Sequence, residues 1–256
     1  MATTIPNPSV SPAAPSGAAE ESLNSAVLDF ARDVVAQSAE IFRAYRETGT
    51  ITANGTVGFI ERIPGEDKIV TVNLPHPFDR SIHSNAPLNF SVTGLDGTAF
   101  KGRANARYLK VFNQNPTITS LSHVHSPNLG AWAQTHRTLP ISYVPVQRFH
   151  LARELPVYID RRQDEQDFIN EKLAENPFTP AIIEANGGAT VWGWKGLRDL
   201  AEFILLLEEG ADIQIRAQAL GGARTYGPGV LRQQWKMSKR YDEARGLGLL
   251  PVTDLD

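Results

Sequence analysis

Between residues 20 and 48 apolar side chains recur every three or four positions. Val27, Phe30, Ala31, Val34, Val35, Ile41, Phe42 and Tyr45 fall on one stripe. That spacing predicts an amphipathic helix, which Gly49 ends. The period then changes. Val57 to Ile63 is apolar-rich and stops at Pro64-Gly65; Lys68 to Asn73 alternates; Leu88 to Thr93 alternates and runs into Gly94-Leu95-Asp96-Gly97. Three short strands joined by turn residues predict an antiparallel meander. Arg103 to Asn113 reads as a helix, with Ala104, Tyr108 and Val111-Phe112 on one side. The apolar run Ile118 to Leu121 opens a strand that continues into Leu121-Ser122-His123-Val124-His125-Ser126-Pro127.

Beyond it, Leu129 to Thr135 predicts a short helix and Leu139 to Val144 a strand. Gln147 to Tyr158, which lies between prolines, predicts an irregular or short helical loop. Asp164 to Ala174 is helical. Ala181 to Glu184 and Ala189 to Trp192 are short strands around Asn186-Gly187-Gly188. A long helix over Gly196 to Leu220 carries the stripe Leu200, Phe203, Ile204, Leu207, Ala211 and Ile215, and a last helix spans Gly229 to Ala244. No repeat and no polar linker divides the chain, so residues 21–256 form one domain behind a lead-in at 1–20. Strands flanked by helices from both ends of the chain predict a three-layer α/β/α sandwich with a mainly antiparallel central sheet.

Composition narrows the classes of function. At 41 % apolar and 21 % charged residues the chain has the profile of an ordinary globular protein. A net charge of −3 gives no basic footprint for nucleic acid. No apolar run is long enough to span a bilayer, so no membrane is expected as partner. The absence of cysteine removes disulfides, thiolate metal sites and cysteine nucleophiles together, and fits a reducing cytoplasm. Met1 to Ala19 is rich in Ala, Pro and Ser without a basic or apolar region, which predicts disorder rather than a signal peptide.

The chemistry concentrates in the histidine stretch. On a strand, His123 and His125 point to the same face, because side chains alternate with period two. Two imidazoles side by side make a two-point metal clamp.

The order of elements, with His123-Val124-His125-Ser126-Pro127 at its centre, resembles the class II aldolase/adducin family over about Leu23 to Gln234. The resemblance implies that family's sandwich fold, a divalent metal on the two histidines, and a cyclic tetramer. Three family features are missing. Gly187 stands where the family's Asn-His-Gly turn supplies a third histidine. Lys101 to Arg107 holds no carboxylate where the family has its acid/base. The phosphate loops are absent, Asn54-Gly55-Thr56 being at best a remnant. A retro-aldol reaction needs a base and a hold on its phosphate. A clamp kept while both are lost is similar to the aldolase-like non-haem iron oxygenases of aminocoumarin antibiotic biosynthesis, which share features with Gln147 to Gln163 and Glu184 to Gly193.

That resemblance implies Fe(II), O₂ and an aromatic 2-oxo acid such as (prenylated) 4-hydroxyphenylpyruvate, converted to a mandelate and then a benzoate. Zn or Mn with a non-oxidative aldolase or decarboxylase reaction on an unphosphorylated substrate is the alternative; an adducin-like interaction domain is a third. For the third ligand the candidates are His150, then Glu154, Glu184 and His136. Glu154 and Tyr158 are possible catalytic groups. Arg103, Arg107 and Arg148 are candidates for gripping a substrate carboxylate, and Trp192 for lining an aromatic pocket. Each has a plainer alternative: His150 as a hydrogen-bonded interface residue, the arginines as surface or subunit contacts, Tyr158 and Trp192 as core. His76 and His83 read as ordinary loop residues.

Overall fold

Asn24 starts the first helix: its side-chain oxygen accepts the Val27 N–H at 2.9 Å, satisfying one of the free donors at the helix end. This helix, α1 (Ser25–Glu47), buries the predicted stripe from Val27 to Tyr45. The structure, a computed structural model, describes residues 23–79 and 87–255. The predicted lead-in and His83 lie outside the described residues.

The meander follows as expected: β1 (Val57–Arg62), β2 (Lys68–Asn73) and β3 (Phe90–Gly94) pair antiparallel. β4 (Ala99–Lys101), too short to read from its pattern, pairs with β3 at the edge. β5 (Ser120–Val124) pairs with β1 on one side and β10 (Ala189–Gly193) on the other. β9 (Ala181–Glu184) follows, and β8 (Val157–Tyr158) closes the edge in the sheet's parallel pairing. The eight-stranded order is β4-β3-β2-β1-β5-β10-β9-β8.

One face carries the larger core, where α1, α3 (Pro127–Ala133) and α6 (Leu197–Gln218) bury Phe42, Phe59, Val124, Leu129 and Ile204. The other face carries Leu121, Ile182 and Trp192 beneath α2 (Leu109–Gln114) and α5 (Glu165–Glu175). A sheet amphiphilic on neither face needs helices on both, so the architecture is the predicted three-layer sandwich.

Four local expectations are corrected. The predicted 103–113 helix is helical only from Leu109, in α2, which runs on to Gln114. Upstream, Asn105 accepts the Arg107 N–H on its side chain and donates to Thr71, its backbone N–H donates to Thr93, and Tyr108 takes φ 94°. These bonds replace the helical ladder with an Asx turn. The predicted strand at 139–144 shrinks to β6 (Leu139–Pro140), which pairs with β7 (Glu154–Leu155) outside the main sheet. The stretch read as loop at 147–158 divides between the end of α4 (Val144–Phe149), β7 and β8. The final helix is broken into α7 (Val230–Met237) and α8 (Tyr241–Gly246), with Lys239 at φ 61° between them. No helix among the described residues is long and apolar enough to cross a membrane.

Candidate metal centre

His123 sits on β5 with Leu121 on its face, opposite Gly58 of β1 and Thr190 of β10. His125 follows one residue after the strand, held by its N–H to the Thr56 carbonyl at 2.9 Å. The two rings meet edge to face with centroids 5.0 Å apart. Burial, with the neighbouring His123 second and Arg107 opposing protonation too, lowers the His125 pKa, so its imidazole is neutral at pH 7 and able to ligate.

Around His123 the sheet and the helices above it bring polar groups together. Its Nδ1 lies 2.6 Å from Glu184 Oε1, from the end of β9. The Thr190 hydroxyl is 2.7 Å from both Glu184 Oε1 and Glu165 Oε1, the latter on the first turn of α5. Tyr108 donates its hydroxyl to Glu165 at 2.9 Å, and Arg107 donates to the other Glu165 oxygen at 2.8 Å. The Thr190 hydroxyl owns one proton and so serves one carboxylate at a time. Two carboxylates and an imidazole nitrogen thus converge with more acceptors than donors.

Ligand atoms of His123, Glu165 and Glu184 all lie within 4.8 Å of one another, the one such group among the described residues. Burial works to raise the Glu184 pKa, but the hydrogen bond and charge of His123, then Thr190 and Arg107, carry it below the ordinary carboxylate range. An ionised, buried carboxylate beside two imidazoles is a donor set that suits a divalent cation.

Backbone geometry supports the same place. Tyr108, at φ 94°, is a bulky residue in a region that non-glycine residues avoid, and such strain gathers at functional sites. It turns the phenol down onto Glu165, where burial and the Glu165 charge raise its pKa. Gly188 is required by close approach: a Cβ there would stand 2.1 Å from the Val124 carbonyl. Gly187 is different. The nearest atoms to a Cβ at 187 are those of Glu184, none closer than 3.4 Å, so a Cβ fits there without displacing the backbone.

A cavity of about 320 Å³ opens beside His123, bounded by Asn73, His76, Asn105, Arg107 and Tyr108. It shares Asn73, Asn105 and Arg107 with a wider groove of about 1090 Å³ that reaches Arg103. His76, read as an ordinary loop residue, is therefore at the cavity wall.

The other sequence candidates are placed elsewhere. His150 is not brought to the cluster: its ring lies on Phe203, centroids 3.7 Å apart, and burial, then Arg240 and Lys195, push its pKa down to about 3. The residue is half-buried against Phe203, in a cleft that it shares with Trp194, Lys195, Asp199 and Glu202. Glu154 is exposed and accepts from the Thr138 hydroxyl at 3.2 Å. His136 bonds Asn186 at 2.7 Å. Arg148 donates to Gln234, joining α4 to α7. Trp192 is fully buried opposite Leu121, and Tyr158 donates to the Gln163 carbonyl, so both are core rather than pocket lining. Glu165, Thr190 and Tyr108 were missed. Glu165 begins a helix some 40 residues from His123 in sequence, and nothing in its neighbourhood marks it as facing inward.

Comparison with known proteins agrees with this architecture. The model of the class II aldolase and adducin N-terminal domain matches residues 37–215. No curated protein matches the chain in sequence. Among solved structures, YgbL from Escherichia coli is similar at 18 % identity, over 80 % of this chain and 99 % of that one, with TM-score 0.62. L-fuculose 1-phosphate aldolase from Glaciozyma antarctica PI12 is similar at 16 % identity over 84 % and 85 %, TM-score 0.60. An aldolase II superfamily protein from Pseudomonas syringae is similar at 16 % identity over 91 % and 96 %, TM-score 0.61. At these identities the structures speak for the fold, and the matched domain covers most of the sequence: the chain belongs to the class II aldolase and adducin N-terminal domain family.

Proposed function

We propose that the chain is a divalent-metal enzyme that breaks the carbon–carbon bond beside the carbonyl of an unphosphorylated aromatic 2-oxo acid, with Fe(II) as metal and O₂ as oxidant. The observation that carries this reading is the Glu184 carboxylate against His123, with the His125 ring adjacent. Two histidines and one carboxylate on one side of an ion leave positions open on the other, the ligand pattern of non-haem iron oxygenases. The position that bears the third histidine in the family is here Gly187, and it abuts Glu184. A carboxylate has taken the place beside the missing imidazole.

When bound, the ion supplies Lewis acidity to a chelated 2-oxo acid and, as iron, electrons for O₂ reduction. The protein's own groups hold the substrate. Arg107, lining the cavity next to His123, offers a guanidinium to a carboxylate, and the wider groove toward Arg103 accommodates the aromatic ring and a prenyl substituent. Balanced, an arylpyruvate plus O₂ gives an arylglycolate and CO₂; a second O₂ gives the benzoate, CO₂ and water. The test is oxygen uptake by the Fe(II)-loaded protein with 4-hydroxyphenylpyruvate and its prenylated form, with one CO₂ released per O₂. Absence of uptake with both substrates overturns it.

A second reading rests on a different observation. Glu165 and the Tyr108 hydroxyl form a carboxylate–phenol pair 2.9 Å apart in the same cluster, which can move a proton as the missing helix carboxylate does in aldolases. Anaerobic turnover with Zn or Mn, lost in Glu165→Gln, would assign the chain to non-oxidative lyases. The similar fuculose phosphate aldolase structure favours this reading by its name. A purified chain with no stoichiometric metal, and no gain of metal when any is added, would leave the adducin-like binding role.

A further inference from the structure

We propose that the cleft between the C-terminal end of α6 and the segment Arg137 to Ser142 is a second binding site, for a small polyvalent oxyanion such as a phosphate ester or a polycarboxylate. The cleft has a volume of about 580 Å³, the size of small-molecule sites in general. Arg137, Arg153 and Arg224 all line it, with Gln214, Gln218 and Tyr226, and no aspartate or glutamate does. Among the described residues none of the three guanidiniums is in an ion pair. The cleft is distinct from the metal centre. Its walls, Trp132 and Ile141, belong to the core on the opposite face of the sheet from Trp192 and Tyr108.

Two of the cations are held ready. Arg153 donates to Gln147 at 2.6 Å and lies over the Tyr226 ring, 4.9 Å from its centroid. Arg137 lies 5.9 Å from the Trp132 ring. Flat aromatic supports fix the guanidinium planes without supplying a counter-charge. The Tyr226 hydroxyl is buried and has no hydrogen-bond partner in the structure. A half-buried cation without a carboxylate is costly, and an oxyanion in the cleft answers it. Glu154 accepts from the Thr138 hydroxyl and forms no ion pair with any of the three. Burial lowers the Arg153 pKa, as expected for a cation that lacks its anion.

The test titrates the full-length chain with inorganic phosphate and, separately, with tricarballylate at constant ionic strength, following heat and Trp fluorescence. Saturable binding of either, with a Kd below about 10 mM, weakened at least tenfold in Arg137→Gln/Arg224→Gln and unchanged in Arg107→Gln, supports the site. The probe that saturates more tightly names the ligand class. Loss in Arg107→Gln but not in the double variant would assign the anion to the metal cavity and overturn the proposal, as would no saturation by either probe. Sedimentation velocity of the double variant completes the test. A change in subunit number without a change in binding would make the cleft a contact between copies and overturn it too.

Discussion

Glu184 is 3 % exposed, and at that depth a carboxylate is normally driven toward its neutral form. It stays ionised because His123, Thr190 and, at 3.5 Å, Arg161 answer its charge. Replacing it by glutamine removes the charge that a cation needs while keeping the shape. Glu184→Gln is expected to lower metal content from near one equivalent to a small fraction, as His123→Ala does. His150→Phe is expected to retain metal, because His150 packs on Phe203 instead; metal analysis of the three variants checks this. Glu61 is the opposite case. It is buried, one of its oxygens has no partner, and burial lifts its pKa to about 8. The fold therefore keeps a proton that the unfolded chain gives up in the ordinary carboxylate range. Glu61 thus makes stability fall as pH rises from about 5 to 8, by on the order of 1 kcal/mol per pH unit, with its full cost felt above 8. Glu61→Gln should flatten that slope in urea titrations at pH 5, 7 and 9. An unaltered slope would place the proton elsewhere.

At the scale of elements, the metal strand is anchored at its C-terminal end. α3 starts straight after the histidines, and its first donors point into the larger core. Glu208 of α6 receives the backbone N–H groups of Asn128 and Leu129 at 2.7 and 2.9 Å, so one helix caps another and fixes the His125-Ser126 turn. On the neighbouring hairpin the two glycines differ in kind. Gly188→Ala forces a Cβ against the Val124 carbonyl and His125, and is expected to cost about 2–4 kcal/mol of stability, together with metal affinity. Gly187→Ala meets only ordinary contacts and is expected to change stability by about 1 kcal/mol or less. Thermal unfolding of the pair, with and without metal, separates the two.

For the whole molecule, the sheet is sandwiched between unequal cores, and α7 and α8 build a third small cluster around Trp235. Trp235 is fully buried and donates to the Gln147 carbonyl at 3.0 Å. Its packing role therefore lies inside the chain. Several large apolar residues remain on the surface, Phe78, Leu220 and Val252 most of all. We expect a homotetramer, by resemblance to the family. Light scattering should then give about four times the chain mass of 28.1 kDa. A monomer at micromolar concentration would remove that expectation and leave the metal cluster to function within one chain.

The sequence by itself determined the layers of the sandwich, the meander, the long helices and the pair His123 and His125. Each of these follows from a short-range period or a local turn, which the order of residues carries directly. Its resemblance to the family further implies a histidine missing at 187 and a carboxylate missing before the metal strand. Only the tertiary structure decided what stands there instead. Glu184, Glu165 and Thr190 reach His123 from three separate elements, and such long-range convergence leaves no periodic trace. The same limit governed the errors. Arg103 to Tyr108 has helical spacing, yet hydrogen bonds from Asn105 to two strands hold it in a turn and bring Arg107 and Tyr108 to the site. His150 has the side chain of a ligand, yet it ends as a packing residue on Phe203. Which of these a histidine becomes depends on what packs against it, and that is settled only when the chain has closed.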